Sequence, residues 1–224
     1  MATAEPITFA QFQQTTGTDT FRVTNGTGST GTLSTIGTPM VNFSFLRPAM
    51  QAAGLGNNDA IFNLTGTITT PANVMVLPGP DPINQLVNSG TLSFTRTTAA
   101  SVGSGSRTNL LTISFTNAIL TGSVGSTSGS LLASTPDSVL LFTSDFLNFD
   151  NTIARDFALA LSSITGGGLG RANASESLRA FTADATGTFS SDPAPLSGVP
   201  EPAALGLLGL GVVGIALRRR RKAA

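Results

Sequence analysis

Two short stretches near the middle of the chain, LSFT at residues 92–95 and LTISFT at residues 111–116, decide the fold. In both stretches an apolar residue alternates with Ser or Thr. A β-strand points successive side chains to opposite faces, so this alternation indicates a strand with one face buried. Residues 101–106 between them are rich in Ser and Gly and predict a turn. We therefore predict two strands joined by a turn.

Weaker strand signals extend along the chain in both directions. The apolar run at residues 139–142 predicts a strand buried on both faces. Residues 157–161 alternate, but their alanines leave a helix open as an alternative to a strand. Further strands are expected within residues 7–36, where Asn25-Gly26 predicts a hairpin turn, and within residues 41–45, 61–69 and 178–189. Strands at intervals of roughly 10–15 residues with turns between them predict an all-β body, a β-sandwich or a jelly roll.

The composition agrees with this fold class and limits the chemistry. The chain has 14 Phe but no Cys, His, Trp or Tyr. Without Cys there is no disulfide or thiolate metal site, and without His the usual general base and the commonest transition-metal ligand are missing. The body also lacks Lys. Without His and Lys, neither Ser-His-Asp nor Ser-Lys catalysis is possible in the body. Sugar platforms usually use Trp or Tyr, and we expect most Phe residues in the core instead.

Acidic and amide side chains are the remaining candidates for chemistry. Asp145, Asp150 and Asp156 lie near one another in the sequence and are the candidates for a glycan-hydrolysing carboxylate pair. Oxygen ligands suit Ca²⁺, with Asp145, Asn148 and Asp150 as one candidate set and Asn57-Asn58-Asp59 as another. Asn and Asp are also ordinary turn residues. We predict no catalytic residues, no metal and no cofactor. A second interpretation of the body is a calcium-dependent or carbohydrate-binding module. A third, less favoured interpretation is a glycan-active enzyme.

Charge is distributed unevenly along the chain. Lys and Arg number 12, as do Asp and Glu, but five of the cations lie in residues 218–222. Residues 1–199 therefore carry a net charge of −4 and no basic patch. Nucleic-acid binding relies on Lys and Arg that neutralise phosphates, so we predict no nucleic-acid partner.

The last 26 residues form a separate unit with three parts. The sequence VPEP at residues 199–202 is followed by an apolar run at residues 203–217 and then by a basic cluster. As a helix the run spans ~22 Å against a hydrocarbon core of ~30 Å, so we predict one short transmembrane helix. Lys and Arg beside a span stay in the cytoplasm, which places the body outside the cytoplasmic membrane. The basic cluster consists of Arg218, Arg219, Arg220, Arg221 and Lys222.

The order of these three parts resembles the PEP-CTERM sorting signal of exported bacterial proteins. Its motif is formed here by Val199, Pro200, Glu201 and Pro202. The resemblance implies that an exosortase-type membrane transpeptidase recognises the tail and processes it nearby. It also implies that the mature protein lies in the cell envelope, at the cell surface or in the extracellular matrix. Family members often belong to biofilm-forming bacteria, so exopolysaccharide is an expected partner, with the membrane as a transient or lasting anchor.

The sequence therefore predicts four segments. Residues 1–4 are the expected remnant of a signal-peptide cleavage region, because Ala2-Thr3-Ala4 has the A-x-A form, and an export signal is expected upstream. Residues 5–192 are the β-sandwich body, residues 193–198 a Pro-rich linker, and residues 199–224 the sorting signal.

Overall fold

The computed structural model describes residues 6–15, 17–102, 105–152 and 154–195. These residues form one short helix, α1 (Pro48–Ala52), and strands that pair antiparallel throughout. The strands are β1 (Ile7–Gln14), β2 (Phe21–Asn25), β3 (Gly31–Thr35), β4 (Met40–Phe45), β5 (Asn58–Ile68), β6 (Asn73–Val74), β7 (Pro82–Val102), β8 (Gly105–Ser123), β9 (Gly129–Ser134), β10 (Leu140–Thr143), β11 (Leu147–Asn148), β12 (Asp156–Ser162), β13 (Phe181–Ser191) and β14 (Ala194–Pro195).

Hydrogen-bonded pairing joins twelve of these strands into one sheet that closes on itself. The circuit runs from β5 through β7, β8, β9, β12 and β13 to β1 and β4, and β4 pairs again with β5. At the other end of the molecule β2 and β3 take the places of β1 and β4. Both β13 and β5 are 11 residues long, which lets each of them pair along one edge with two shorter strands in succession.

The expected all-β body is confirmed as a large antiparallel sheet. The finer expectation, a β-sandwich or jelly roll, describes two sheets that face each other. Here the hydrogen bonds continue around the whole wall instead, because β13 pairs with β12 on one edge and with β1 and β2 on the other. This closure depends on contacts between strands that are far apart in the sequence.

Phenylalanine fills the interior of the closed sheet. All 14 Phe residues of the chain are buried, none of them more than 5% exposed. Phe94 on β7 contacts Phe189 on β13 with ring centroids 5.3 Å apart, and these strands lie opposite each other, four pairings apart in either direction. A ring of about eight strands is just wide enough for side chains to fill. The expectation of a Phe core is therefore confirmed, and the described outer surface is left for binding.

One glycine on β13 allows the core to close. Gly187 lies opposite Phe12 on β1 and opposite Leu159 on β12. A Cβ at this position would lie 2.7 Å from Phe12 Cε1 and 2.5 Å from Leu159 Cδ2, closer than van der Waals contact allows. A larger residue at 187 would force both of these core side chains to move.

The predicted strands are present, but some bounds and one burial pattern differ. Residues 178–180 precede β13, and residues 101–102 and 105–106 of the expected turn belong to β7 and β8. Residues 92–95 and 111–116 pair in β7 and β8, with Leu92 opposite Ile113, and residues 157–161 form a strand, not a helix. Burial of residues 139–142 on both faces was wrong: Val139 is 70% and Leu141 56% exposed, whereas Leu140 and Phe142 are buried. Only one face of β10 meets the core, because β10 pairs with β8 in the wall of the sheet and alternate side chains point inward and outward.

The last described residues of the chain lie beside β11. Ala194 and Pro195 form β14 and pair with Asn148 and Leu147, so the described chain stays attached to the body inside the segment expected as linker, residues 193–198. The predicted membrane helix at residues 203–217 and residues 1–4 lie outside the described residues. No helix in the described part of the chain is long and apolar enough to cross a membrane.

Removing the Phe94 ring, which contacts Phe189 on the opposite side of the closed sheet, should strongly destabilise the body. Replacing Phe94 with Ala is expected to lower the free energy of unfolding by about 3–5 kcal/mol, because the variant loses buried contacts and leaves a cavity. Urea unfolding followed by circular dichroism measures this change. As a control, Val139→Ala changes an exposed position and should stay within about 0.5 kcal/mol. Equal losses in both variants would contradict the description of the core.

Candidate functional site

Asp145, the first predicted calcium ligand, is used to tie two segments together. Its Oδ2 accepts hydrogen bonds from the backbone N–H groups of Thr108 and Asn109, at 2.9 and 2.8 Å. The Arg107 guanidinium donates to the Asp145 carbonyl at 2.7 Å. These bonds hold the segment before β11 against the first residues of β8, which is a structural role for the carboxylate.

The other two residues of that set line one shallow groove. Asn148 and Asp150 border it together with Arg155. The Asn148 Oδ1 accepts the backbone N–H of Asp150 at 2.7 Å, which is the geometry of an Asx turn. Arg155 is held in place by the carbonyls of Leu140 and Phe149, each at 2.8 Å. Within the described residues, no three Asp or Glu side chains converge in a way that could hold a metal ion.

The second predicted set, Asn57-Asn58-Asp59, does not converge either. Asn58 is 2% exposed, and its Nδ2 donates to the carbonyls of Phe43 and Leu55 at 3.2 and 2.8 Å. Asn57 accepts the Ser44 hydroxyl at 2.8 Å, while Asp59 is exposed on the outside of β5. The two asparagines therefore brace the connection between β4 and β5.

A cleft on the outer face of β8, β9 and β12 brings together a different group of residues. Its floor is formed by Ile119 and Leu132, which lie directly opposite each other across β8 and β9, and by Ala158, which lies opposite Leu132 on β12. The cleft has a volume of about 550 Å³, within the range of about 300–1,000 Å³ typical of small-molecule sites. We define the outer cleft by these three floor residues together with Asp137 and Asp156, which also line it.

Asp156 is the half-buried acid of the outer cleft. It begins β12, where the ladder places Ser134 on one side of it and Ser190 on the other. Burial raises the pKa of the Asp156 carboxyl above its ordinary value of 3.8, and a hydrogen bond with Ser190 opposes that rise. The side chain is therefore kept in a less hydrated environment than a carboxylate on an open strand.

Asp137 is carried by a loop that is fixed on both sides. The Thr135 backbone N–H donates to the Arg155 carbonyl at 3.0 Å, and the Ser138 N–H donates to the Ser134 carbonyl at 2.9 Å. The Ser138 hydroxyl adds a bond of 3.1 Å to the carbonyl of Asn117. Asn117 has a φ of 59°, a left-handed conformation that Asn adopts more readily than most residues. The loop is thus positioned before any ligand arrives.

Asp145 and Asp150, which lie near Asp156 in the sequence, are not its neighbours in the structure. Asp145 binds backbone at the start of β8 and Asp150 lines the groove beside Arg155, so the structure does not bring the three predicted acids together. The partner of Asp156 in the outer cleft is Asp137, which precedes β10 and reaches the cleft through the pairing of β9 with β12. No local sequence signal marks Asp137, because its position depends on that long-range pairing.

Residues 198–221 match a family model described as the PEP-CTERM protein-sorting motif. The chain therefore carries this sorting motif, as the resemblance of its tail implied; the motif lies outside the described residues. Proteins with the motif are exported, sorted to the cell surface and processed by exosortase. No curated protein and no solved structure matches the chain.

The environment of Asp156 predicts a pH-dependent effect of its replacement. Because the folded-state pKa is raised, the folded protein binds this proton more tightly than the unfolded chain does. The contribution of Asp156 to the stability therefore falls as the pH rises from 3.8 through the folded-state pKa, and Asp156→Asn removes this loss. We expect the Tm of Asp156→Asn minus the Tm of the wild type to increase from acid to neutral pH.

Ser190→Ala provides the matched comparison in the same thermal series. It removes the hydrogen bond that favours the charged carboxylate, so the loss of wild-type stability with rising pH should become larger. A Tm difference for Asp156→Asn that does not change with pH would show that burial of Asp156 is energetically unimportant.

The contacts of Asp145 and Asn148 predict the response to calcium. Their oxygens already accept backbone hydrogen bonds, so we expect no rise in Tm up to about 10 mM CaCl₂. A site with a Kd of about 1 mM would raise the stability by roughly 1.4 kcal/mol at that concentration. A calcium-specific rise in Tm that MgCl₂ does not produce, and that Asp150→Ala abolishes, would support the calcium-dependent alternative instead.

Proposed function

We propose that this protein is a non-enzymatic component of the cell surface or the extracellular matrix that associates with exopolysaccharide. The observation that carries the proposal is the match of residues 198–221 to the PEP-CTERM sorting motif. In this proposal the body is the delivered part, and the tail serves only its delivery.

The physical chemistry of the tail supports processing over permanent anchoring. Residues 203–217 contain eight Leu, Val or Ile residues, which favour membrane insertion by only ~2–5 kcal/mol. A helix of this length is also short for the bilayer. Such a segment holds the precursor in the membrane long enough for a transpeptidase to recognise Pro200-Glu201-Pro202, while the basic cluster at residues 218–222 keeps the C-terminus cytoplasmic.

Three features support a non-enzymatic body. The sequence has no His, Cys or Tyr, and its only Lys is Lys222 in the tail. The interior is filled by Phe, so no described cavity crosses the core. Asp145, one of the three acids predicted as candidates for a carboxylate pair, accepts backbone hydrogen bonds and has a structural role.

Two alternatives have an observation in their favour. A carbohydrate-binding module is favoured by the outer cleft, which combines an apolar floor with polar side chains. A glycan-active enzyme, third in order, is favoured by the presence of Asp137 and Asp156 in that cleft. Release of reducing ends from a polysaccharide that Asp156→Asn abolishes would establish the enzyme and overturn the non-enzymatic proposal.

Replacing Pro200-Glu201-Pro202 with three alanines tests the sorting proposal. Alanine is the better helix former and lengthens the apolar segment, so a simple anchor would tolerate this change. If exosortase reads the motif, the variant should accumulate in the cytoplasmic membrane as an unprocessed precursor. Fractionation of cells with a tag inside the body, together with the intact mass of the surface form, distinguishes the two results.

The basic cluster provides a second variant with a different expected result. Neutral residues at 218–222 remove the orientation and stop signal, so the precursor should insert poorly. The wild-type surface form should have a mass that lacks the apolar run and the basic cluster. Recovery of full-length protein through Ala224 from the surface pool would reduce the tail to a simple anchor.

A further inference from the structure

The floor of the outer cleft consists of exposed apolar side chains on adjacent strands. Most exposed positions of the neighbouring strands carry Ser or Thr, but Ile119 and Leu132 are 45% and 41% exposed and lie side by side. Ala158 continues this floor onto β12. Its short side chain leaves a trough between β9 and β13, because the outward side chains on both sides of it are longer.

The trough continues beyond the outer cleft. A second, smaller cleft of about 250 Å³ shares Ala158 with the outer cleft and is bordered by Gln11, Gln13, Ser130 and Thr186. These side chains offer amide and hydroxyl groups that both donate and accept hydrogen bonds. The two clefts together therefore form an extended strip across β8, β9, β12, β13 and β1, longer than a single sugar ring needs.

The charges along this strip are all negative. Asp137 and Asp156 border the outer cleft, and neither cleft is lined by an Arg or a Lys. Carboxylates are strong acceptors for hydroxyl donors, and charge-assisted hydrogen bonds are about twice as strong as neutral ones. The same carboxylates repel uronates, sulfates and phosphates, which provides discrimination against acidic chains.

We propose that the strip formed by the outer cleft and its smaller continuation binds an uncharged polysaccharide chain. One sugar unit lies with its C–H face on Ile119 and Leu132, and its hydroxyls donate to Asp137 and Asp156. The next units follow the trough over Ala158 towards the amides of Gln11 and Gln13. This inference rests on the proposed association with exopolysaccharide and specifies its site and the class of glycan.

The test measures binding of the full chain, purified in detergent, to immobilised neutral glycans and to an acidic one. The probes are a β-glucan, an α-glucan and a galactomannan, with polygalacturonic acid as the charged comparator. We expect at least one neutral glycan to bind about tenfold or more tightly than polygalacturonic acid, the scale of one charge-assisted hydrogen bond. Equal binding of neutral and acidic probes, or no binding of any neutral probe, would overturn the proposal.

Matched substitutions locate the site. Leu132→Asp places a charge on the floor of the outer cleft and should weaken binding about tenfold to hundredfold. Leu141→Asp makes the same change at a 56% exposed position of β10 that does not line the strip. It should stay within about twofold of the wild type. Equal effects of the two substitutions would refute the assignment.

A second variant keeps the test valid should Leu132→Asp fail to fold, as judged by circular dichroism. Replacing both Asp137 and Asp156 with Asn removes the charges with little change in shape. It should weaken binding of the neutral glycan about tenfold and reduce the preference over polygalacturonic acid. Unchanged affinity and preference in this variant would refute the role of the carboxylates.

The outcomes separate this inference from the proposed function. If the wild type binds a neutral glycan and the strip variants bind it equally well, the strip is the wrong site but association with polysaccharide stands. If no glycan binds, both the strip and the association with exopolysaccharide fail. Sorting is judged separately by the mass of the surface form.

Discussion

The contact between Phe94 and Phe189, at 5.3 Å across the closed sheet, is the constraint on which the rest of the structure depends. The chain has no cysteine to cross-link it, so its stability comes from burying apolar surface. Phe12 and Phe43 pack beside Phe94 with ring centroids 4.9 and 5.0 Å away, and together these rings occupy the space between opposite strands. The closure of the sheet follows from the same requirement, because an open edge would expose these rings to water.

A filled interior moves recognition to the outside of the sheet. There the alternation that buries Phe and Leu inward presents Ser and Thr outward, as in a row that crosses five strands from β2 to β8. The row is formed by Thr24, Thr32, Thr67, Ser89 and Thr116, each opposite the next. The outer cleft arises where this pattern changes, because Ile119 and Leu132 replace hydroxylated residues on adjacent strands.

The strands could be predicted from the sequence because alternation is a local property. Residues 92–95 and 111–116 needed only their own pattern to be recognised as strands. Closure could not be predicted, since β5 pairs with β3, β4 and β7 and no local pattern specifies three partners. The exposure of Leu141 and the presence of Asp137 and Asp156 in one cleft were missed for the same reason. The sorting motif, in contrast, could be read from the sequence because residues 199–222 carry it contiguously.

The net charge of the body and the carboxylates of the proposed glycan strip act over different distances. Residues 1–199 carry −4 spread over a large surface, and at physiological salt such charges are screened beyond about 8 Å. The overall charge of the body is therefore a weak source of discrimination between neutral and acidic polysaccharides. Asp137 and Asp156 act at contact distance instead, one of them half-buried at the start of β12 where screening by salt is reduced. Any preference for uncharged chains must for this reason originate in the outer cleft and not in the net charge of the protein.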